Sequence, residues 1–473
     1  MSYSPTRRTA LVLVGEGTSV AYLTGAQHAL EAAGVRFDLV VGKGVGAVVA
    51  AFGAIQAGAK LRQPKGLLAA LERRPPWRLR APYRAALYCL ALAFGVFVSP
   101  GLVALVLVVA LPLLAAARIA APEFMASLYA GAPGRFATFV SQADPIYLRA
   151  MAFPIALLFA LLVLRWVRPG LLHRSGSGGW GRRLLGEGFI ELSPLTSVLE
   201  RNLWEAVRGV SVEPRPSHRK EIGLHYRDLL ASSLGQQGFR ELIFYALDLD
   251  TGQEVPFVLL KERWLSCLTA RSTILAEPID LAGEGGHLLF DAVRASVTPP
   301  GLAPSVALRL PLGGRHGGEV HRFTSSLLAG QSAVADAVAA GAEQIIYVNG
   351  AAPNRGGETG SFEDLSFAAV RQALESDLRW AEQGASQRAV FIVRPDKPRL
   401  GLYEFSGRKL PGGERLELSA LAAHGERDTL RLFIRPRVGE VTQTVPGSGD
   451  AARGAEEGSG GEDDSWGSGP REL

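Results

Sequence analysis

Cysteine is nearly absent: Cys89 and Cys267 are the only two in 473 residues, and Cys89 lies inside an apolar run. One such pair can build neither a disulfide framework nor a cysteine-rich metal site. The eight histidines are scattered without a metal-ligand spacing, so solvated or core roles are expected of them, and no metal or cofactor is called for. No secretory leader is expected either. The polar stretch Met1–Arg8 leads into an apolar run of about five residues, short of the roughly 7–15 that an h-region needs. A chain that is not secreted is expected.

The formal net charge of +5 is unevenly placed, because residues 439–473 carry eight acids against Arg453 and Arg471. That is −6 on the tail and +11 on the remainder. The bases cluster beside apolar runs and lack interleaved aromatics, which favours anionic membrane lipid as the partner and argues against nucleic acid. The acidic tail, rich in Gly and Ser, reads as disordered and as the place for a protein partner to attach.

Charge is missing altogether from Ala85 to Ala117, whereas about 20 apolar residues already span a bilayer. Ser99-Pro100-Gly101 near the middle leaves open one kinked helix or the two legs of a re-entrant hairpin. A second run, Met151–Leu164, sits between Arg149 and Arg165 and by its length would equally suit a buried core helix. The sequences on either side read as one domain, so the number of crossings should be even. Arg73, Arg74, Arg78, Arg80 and Arg84 precede the region and Arg165, Arg168, Arg174, Arg182 and Arg183 follow it. Only Arg118, Arg135 and Arg149 lie between. The positive-inside rule then places both halves on the cytoplasmic side of a membrane. The competing reading is a pair of apolar core helices in a soluble protein.

Around this insert, strand-like and helical patterns alternate. Strands are predicted at Ala10–Val14, Phe37–Val41, Leu242–Leu247, Val255–Leu260, Ile345–Val348 and Ala389–Val393. Helices are predicted at Ser19–Ala33, from Val45, at Gln331–Ala340 and at Ser366–Ala381. Such alternation indicates an α/β fold with a doubly wound parallel sheet flanked by helices. The expected divisions are 8–80, an insert over 85–167, a continuation over 186–436 and a tail over 437–473.

Two glycine-bearing turns carry the chemistry. Gly42-Lys43-Gly44-Val45-Gly46 stands between a strand and a helix, the setting in which G-x-S-x-G forms a nucleophile elbow, but the central position is Gly44. Upstream, a strand ends in Gly15-Glu16-Gly17-Thr18-Ser19, a turn of the kind that offers N–H groups to an oxyanion. Gly42-Lys43-Gly44-Val45-Gly46-Ala47 also fits G-x-G-x-x-A, yet Lys60 and Arg62 stand where a dinucleotide site wants an acid. Ser19 as a substitute nucleophile lacks a base placed by sequence, and an N-cap role suits Thr18 or Ser19 better. Asp248 and Asp250 read as turn formers.

Taken together, these turns resemble the patatin-like phospholipases. Leu11–Ala51 reproduces that family's oxyanion loop and elbow, including Gly25, Gly34 and Asp38-Leu39-Val40-Val41-Gly42. Beyond the insert, Phe189–Leu195, Ala246–Gly252 and Ala292–Gly301 are similar to later family segments. The resemblance implies a lipid acyl hydrolase fold with a Ser-Asp dyad. Gly44 takes the nucleophile position, and Thr324 falls near the aspartate position. Glu16 replaces an oxyanion-loop glycine, where a carboxylate would repel the developing oxyanion. A membrane-anchored, catalytically impaired protein with a lipid-binding or scaffold role is therefore expected. The alternative is an active hydrolase that uses another nucleophile.

Overall fold

The computed structural model describes residues 3–73, most of 77–94, Gly188, 190–209, 214–271 apart from 235, 237 and 238, then 277–326, 333–350, 389–395 and 417–438. The chain begins with β1 (Thr9–Gly15), α1 (Ser19–Ala32), β2 (Leu39–Gly44), α2 (Gly46–Ala54) and α3 (Leu67–Arg73). The short strands β3 (Arg78–Leu79) and β4 (Ile190–Glu191) pair with each other, and α4 (Ser193–Val207) and α5 (Arg219–Ser233) follow. Next come β5 (Glu241–Asp248), β6 (Glu254–Leu259), α6 (Glu262–Arg271), β7 (Ile279–Asp280), α7 (Leu289–Ser296), β8 (Val306–Arg309) and β9 (Val320–Ser325). The last described elements are α8 (Ala333–Ala339), β10 (Gln344–Asn349), β11 (Ala389–Val393) and α9 (Leu418–Thr429), which continues as a π-helical stretch over Leu430–Val438.

The main sheet runs β11-β10-β1-β2-β5-β6-β7, with β9 on β5 and β8 on β9. β1, β2, β10, β11 and the start of β5 are parallel; β1, β2 and β10 are buried on both faces, which explains their unbroken apolar runs, while the edge strand β11 buries only alternate residues. Alternate residues of β1 separate the two cores. Leu11 and Leu13 pack with α1 and α2, while Ala10, Val12 and Val14 lie in the cluster that holds Ala333 and Val334 of α8. Along α1, Gly25 lets α9 approach closely, because a Cβ there would lie 1.9 Å from the Ala422 carbonyl oxygen.

The all-parallel expectation is corrected to a mixed sheet. β6 and β9 both run antiparallel to β5. Only a short turn separates Asp248 from Glu254, and a parallel return needs a crossover of a dozen or more residues. The second strand also starts later than predicted and continues through the glycines to Gly44.

No described helix is long and apolar enough to cross a membrane. The predicted insert over 85–167 lies, beyond Phe94, outside the described residues, as do the helix predicted at Ser366–Ala381 and residues 439–473. Arg437 and Val438, the first two residues of the predicted tail, belong to the described Leu430–Val438 stretch.

Candidate functional site

The ends of β1 and β2 bring the two glycine turns together. Gly15 and Gly44 are register partners across the parallel pair, and Val45 N–H donates to the Gly15 carbonyl at 2.9 Å. Gly44 ends β2 with φ +60°, the left-handed region that side chains other than glycine enter at a cost. The flanking glycines answer to space instead. A Cβ on Gly42 would lie 2.5 Å from Ala47 Cα, and one on Gly46 2.0 Å from the Leu13 carbonyl oxygen. The backbone is thus a tight strand-turn-helix elbow whose tip has no side chain. Such a position, at the carboxyl ends of parallel strands, is where α/β sheets bind ligands.

β5 brings the next elements to this point. Its one edge pairs with β6; its other edge takes Leu39–Gly42 of β2 along the first half and Phe323–Ser325 of β9 along the second. β9 therefore runs head-on toward the end of β2, carrying Thr324, Ser325 and Ser326 to the elbow. Thr324 is buried, and its hydroxyl donates to the Thr298 carbonyl at 2.8 Å. It is a structural tie and has no basic group to take a proton. Ser326 is fully buried.

Glu16 follows Gly15, and its carboxyl is enclosed. The Ser325 hydroxyl donates to it, which fastens the loop after β1 to the end of β9. Burial pushes its pKa up to about 8, against the hydrogen bonds from Ser325 and the Gly17 backbone, which favour the charged form. Burial thus favours the uncharged acid, which would soften the repulsion expected of a carboxylate here. Thr18 stands at the N-cap of α1, but its side chain makes no capping bond. The Ser19 hydroxyl is buried without a partner. Among the described residues no titratable group bonds to it, so none of them serves Ser19 as an activating base.

Sequence reasoning missed the residue between the elbow glycines. Lys43 is buried beneath the turn, its ammonium 2.9 Å from the Glu254 carboxylate and 5.4 Å from the centre of the Tyr245 ring. The Tyr245 hydroxyl in turn donates to Asp336 on α8 at 2.9 Å. Burial raises the Glu254 pKa to about 7, with Lys43 pulling it back toward the charged form. Glu254 lies 211 residues from Lys43, so no local signal could have found the pair.

A second polar cluster lies at the β8–β9 hairpin, away from the elbow glycines in sequence. His316, Glu319 and His321 bring donor atoms within 4.8 Å of one another, as do Asp248, Asp250 and His321. Of the two histidines, His316 is partly exposed and His321 is buried. The hairpin turn and the strand alternation converge His-x-x-Glu-x-His on one point, a spacing that ordinary zinc patterns do not flag. Burial works to lower the His321 pKa, yet hydrogen bonds to Asp248 and Glu319 hold it above the ordinary histidine value. Asp248 also ties its own turn, accepting from Asp250 N–H and from the Thr251 hydroxyl, each at 2.9 Å.

No family model matches the chain, and no curated protein matches it. Among solved structures it is similar to VipD from Legionella pneumophila, with a TM-score of 0.32 and 11% identity over 91% of this chain and 67% of that one.

Proposed function

We propose that this chain is a degenerate patatin-like protein, held at the cytoplasmic face of a membrane, that binds lipid without hydrolysing it. The observation that carries the reading is Gly44: the elbow's backbone is kept, with φ +60° at its tip, and the hydroxyl is missing. Loss of a serine nucleophile costs on the order of 10⁶-fold in a worked protease case. The surroundings agree with that loss. The Thr324 hydroxyl is spent on a backbone carbonyl, and Glu16 is tied to Ser325. Membrane attachment is supported by the start of the apolar run, where Leu87, Tyr88, Leu90 and Phe94 are each more than half exposed. A cluster of that kind marks a protein or membrane contact.

A second reading, an active hydrolase, has one observation in its favour. Ser325 donates to a carboxyl whose pKa is raised to about 8, a serine-and-base arrangement. Against it, Ser325 is 1% exposed.

The test is fatty-acid release from phosphatidylcholine vesicles, together with p-nitrophenyl ester turnover, by the purified full chain. Both should stay at background. Turnover well above background that survives Gly44→Ala would place catalysis elsewhere and overturn the proposal.

A further inference from the structure

The β8–β9 hairpin holds a group of donors that the elbow does not use. The connection after β8 is glycine-rich and closed by its own backbone: Leu310 N–H donates to the Glu319 carbonyl at 2.9 Å, and Glu319 N–H to the His316 carbonyl at 3.1 Å. This turn folds His316 back over the start of β9, so that its ring centre lies 5.0 Å from that of His321. The Glu319 carboxylate sits between them. One of its oxygens is 3.0 Å from His321 Nε2 and 3.4 Å from His316 Nδ1.

Nitrogen and oxygen donors about 2.0–2.2 Å from a tetrahedral zinc lie roughly 3.3 Å from one another. Two of the three separations here already have that length. The third, between the two rings, lies within 4.8 Å, and the His316 side chain is 42% exposed, on the surface where its ring has room to adjust. The other nitrogen of His321 is also engaged as a metal-binding histidine's would be. Its Nδ1 is 2.6 Å from the buried Asp248 carboxylate, which fixes the tautomer and aims Nε2 at the cluster. The overlapping set with Asp250 is a poorer candidate, because Arg322 holds that carboxylate from two nitrogens and Asp248 is spent on its turn.

We infer that His316, Glu319 and His321 form a zinc site, with Asp248 as the positioning carboxylate behind His321. Three protein donors leave a fourth position open. His316 lines a cavity of about 310 Å³ on that side, with Glu277, Asp280 and Glu284 also in its wall. Those acids draw a cation toward the site, and the cavity has room for a water at the fourth position. The inference is independent of the lipid-binding reading, since none of its residues belongs to the elbow.

The experiment uses the full chain, stripped with a chelator and titrated with Zn²⁺ alone by calorimetry. A parallel titration with Co²⁺ has its visible spectrum read for tetrahedral coordination. Wild type should bind one equivalent and give the tetrahedral cobalt spectrum. His316→Ala changes a half-exposed side chain on a surface turn, so the fold should persist while affinity falls about 100-fold or more. Asp248→Asn should weaken binding by about 10–100-fold, the usual effect of losing the carboxylate behind a metal-bound histidine. His218→Ala, outside the cluster, should change nothing. Failure of wild type to bind Zn²⁺, or equal binding by His316→Ala, would show that the cluster is only a set of histidine–glutamate hydrogen bonds. An octahedral cobalt spectrum that His316→Ala leaves unaltered would likewise overturn the site.

Discussion

Glu16→Gln keeps the shape of the side chain and removes its proton equilibrium. In the folded chain, burial pushes the Glu16 pKa from 4.5 up to about 8, despite the hydrogen bonds from Ser325 and the Gly17 backbone. The folded state therefore binds this proton more tightly than the unfolded chain does. The resulting stability is fully present below about pH 4.5 and is lost as pH rises through about 8. A rise from 4.5 to about 8, at about 1.4 kcal/mol per pH unit, amounts to about 5 kcal/mol. Glu254, raised by burial to about 7, titrates in an overlapping window with the same sign, so the wild-type profile mixes the two. The difference between Glu16→Gln and wild type isolates Glu16, because both proteins keep Glu254. Urea unfolding at intervals from about pH 5 to about pH 8.5 should show the variant gaining on wild type steadily, by several kcal/mol over the range. A difference that stays flat, or that shrinks as pH rises, would refute the buried, uncharged carboxyl.

Lys43→Met or Glu254→Leu alone should cost about 3–5 kcal/mol by stranding a buried charge, while the double replacement should recover most of that loss; additive losses in unfolding experiments would show the pair is uncoupled. Gly44→Ala should destabilise by about 1–3 kcal/mol, because φ at that position is left-handed. Gly44→Ser should cost a similar amount and remain inert toward esters, since Thr324 cannot take the serine proton; ester turnover by this single variant would contradict that. Reporter fusions after Arg84 and after Arg183 should give the same side of the membrane, and opposite sides would end the even-crossing argument.

Much of Thr9–Ala54 was legible because local signals there agree with the fold. The apolar runs of β1 and β2 are buried on both faces, and the glycines that bound the elbow are required by φ at Gly44 and by close contacts at Gly42 and Gly46. The direction of β6 was misread because an unbroken apolar run carries no mark of its neighbour's orientation. The brief link from Asp248 to Glu254 was the signal that held that information. The site's polar partners were out of reach for another reason. Glu16 meets Ser325 across 309 residues and Lys43 meets Glu254 across 211, so each contact exists only once the sheet order is known. The hairpin histidines were hidden because a turn, rather than a helix, brings His316 back to His321.

Whether the elbow that ends β2 at Gly44 lacks a nucleophile, as proposed, is tested most directly by fluorophosphonate labelling of the purified full chain. An activated serine reacts with such a probe and a glycine cannot. No labelling above that of heat-denatured protein is expected, in wild type and in Gly44→Ser alike. Stoichiometric labelling of wild type, mapped by mass spectrometry to Ser325 or to any other serine, would contradict it.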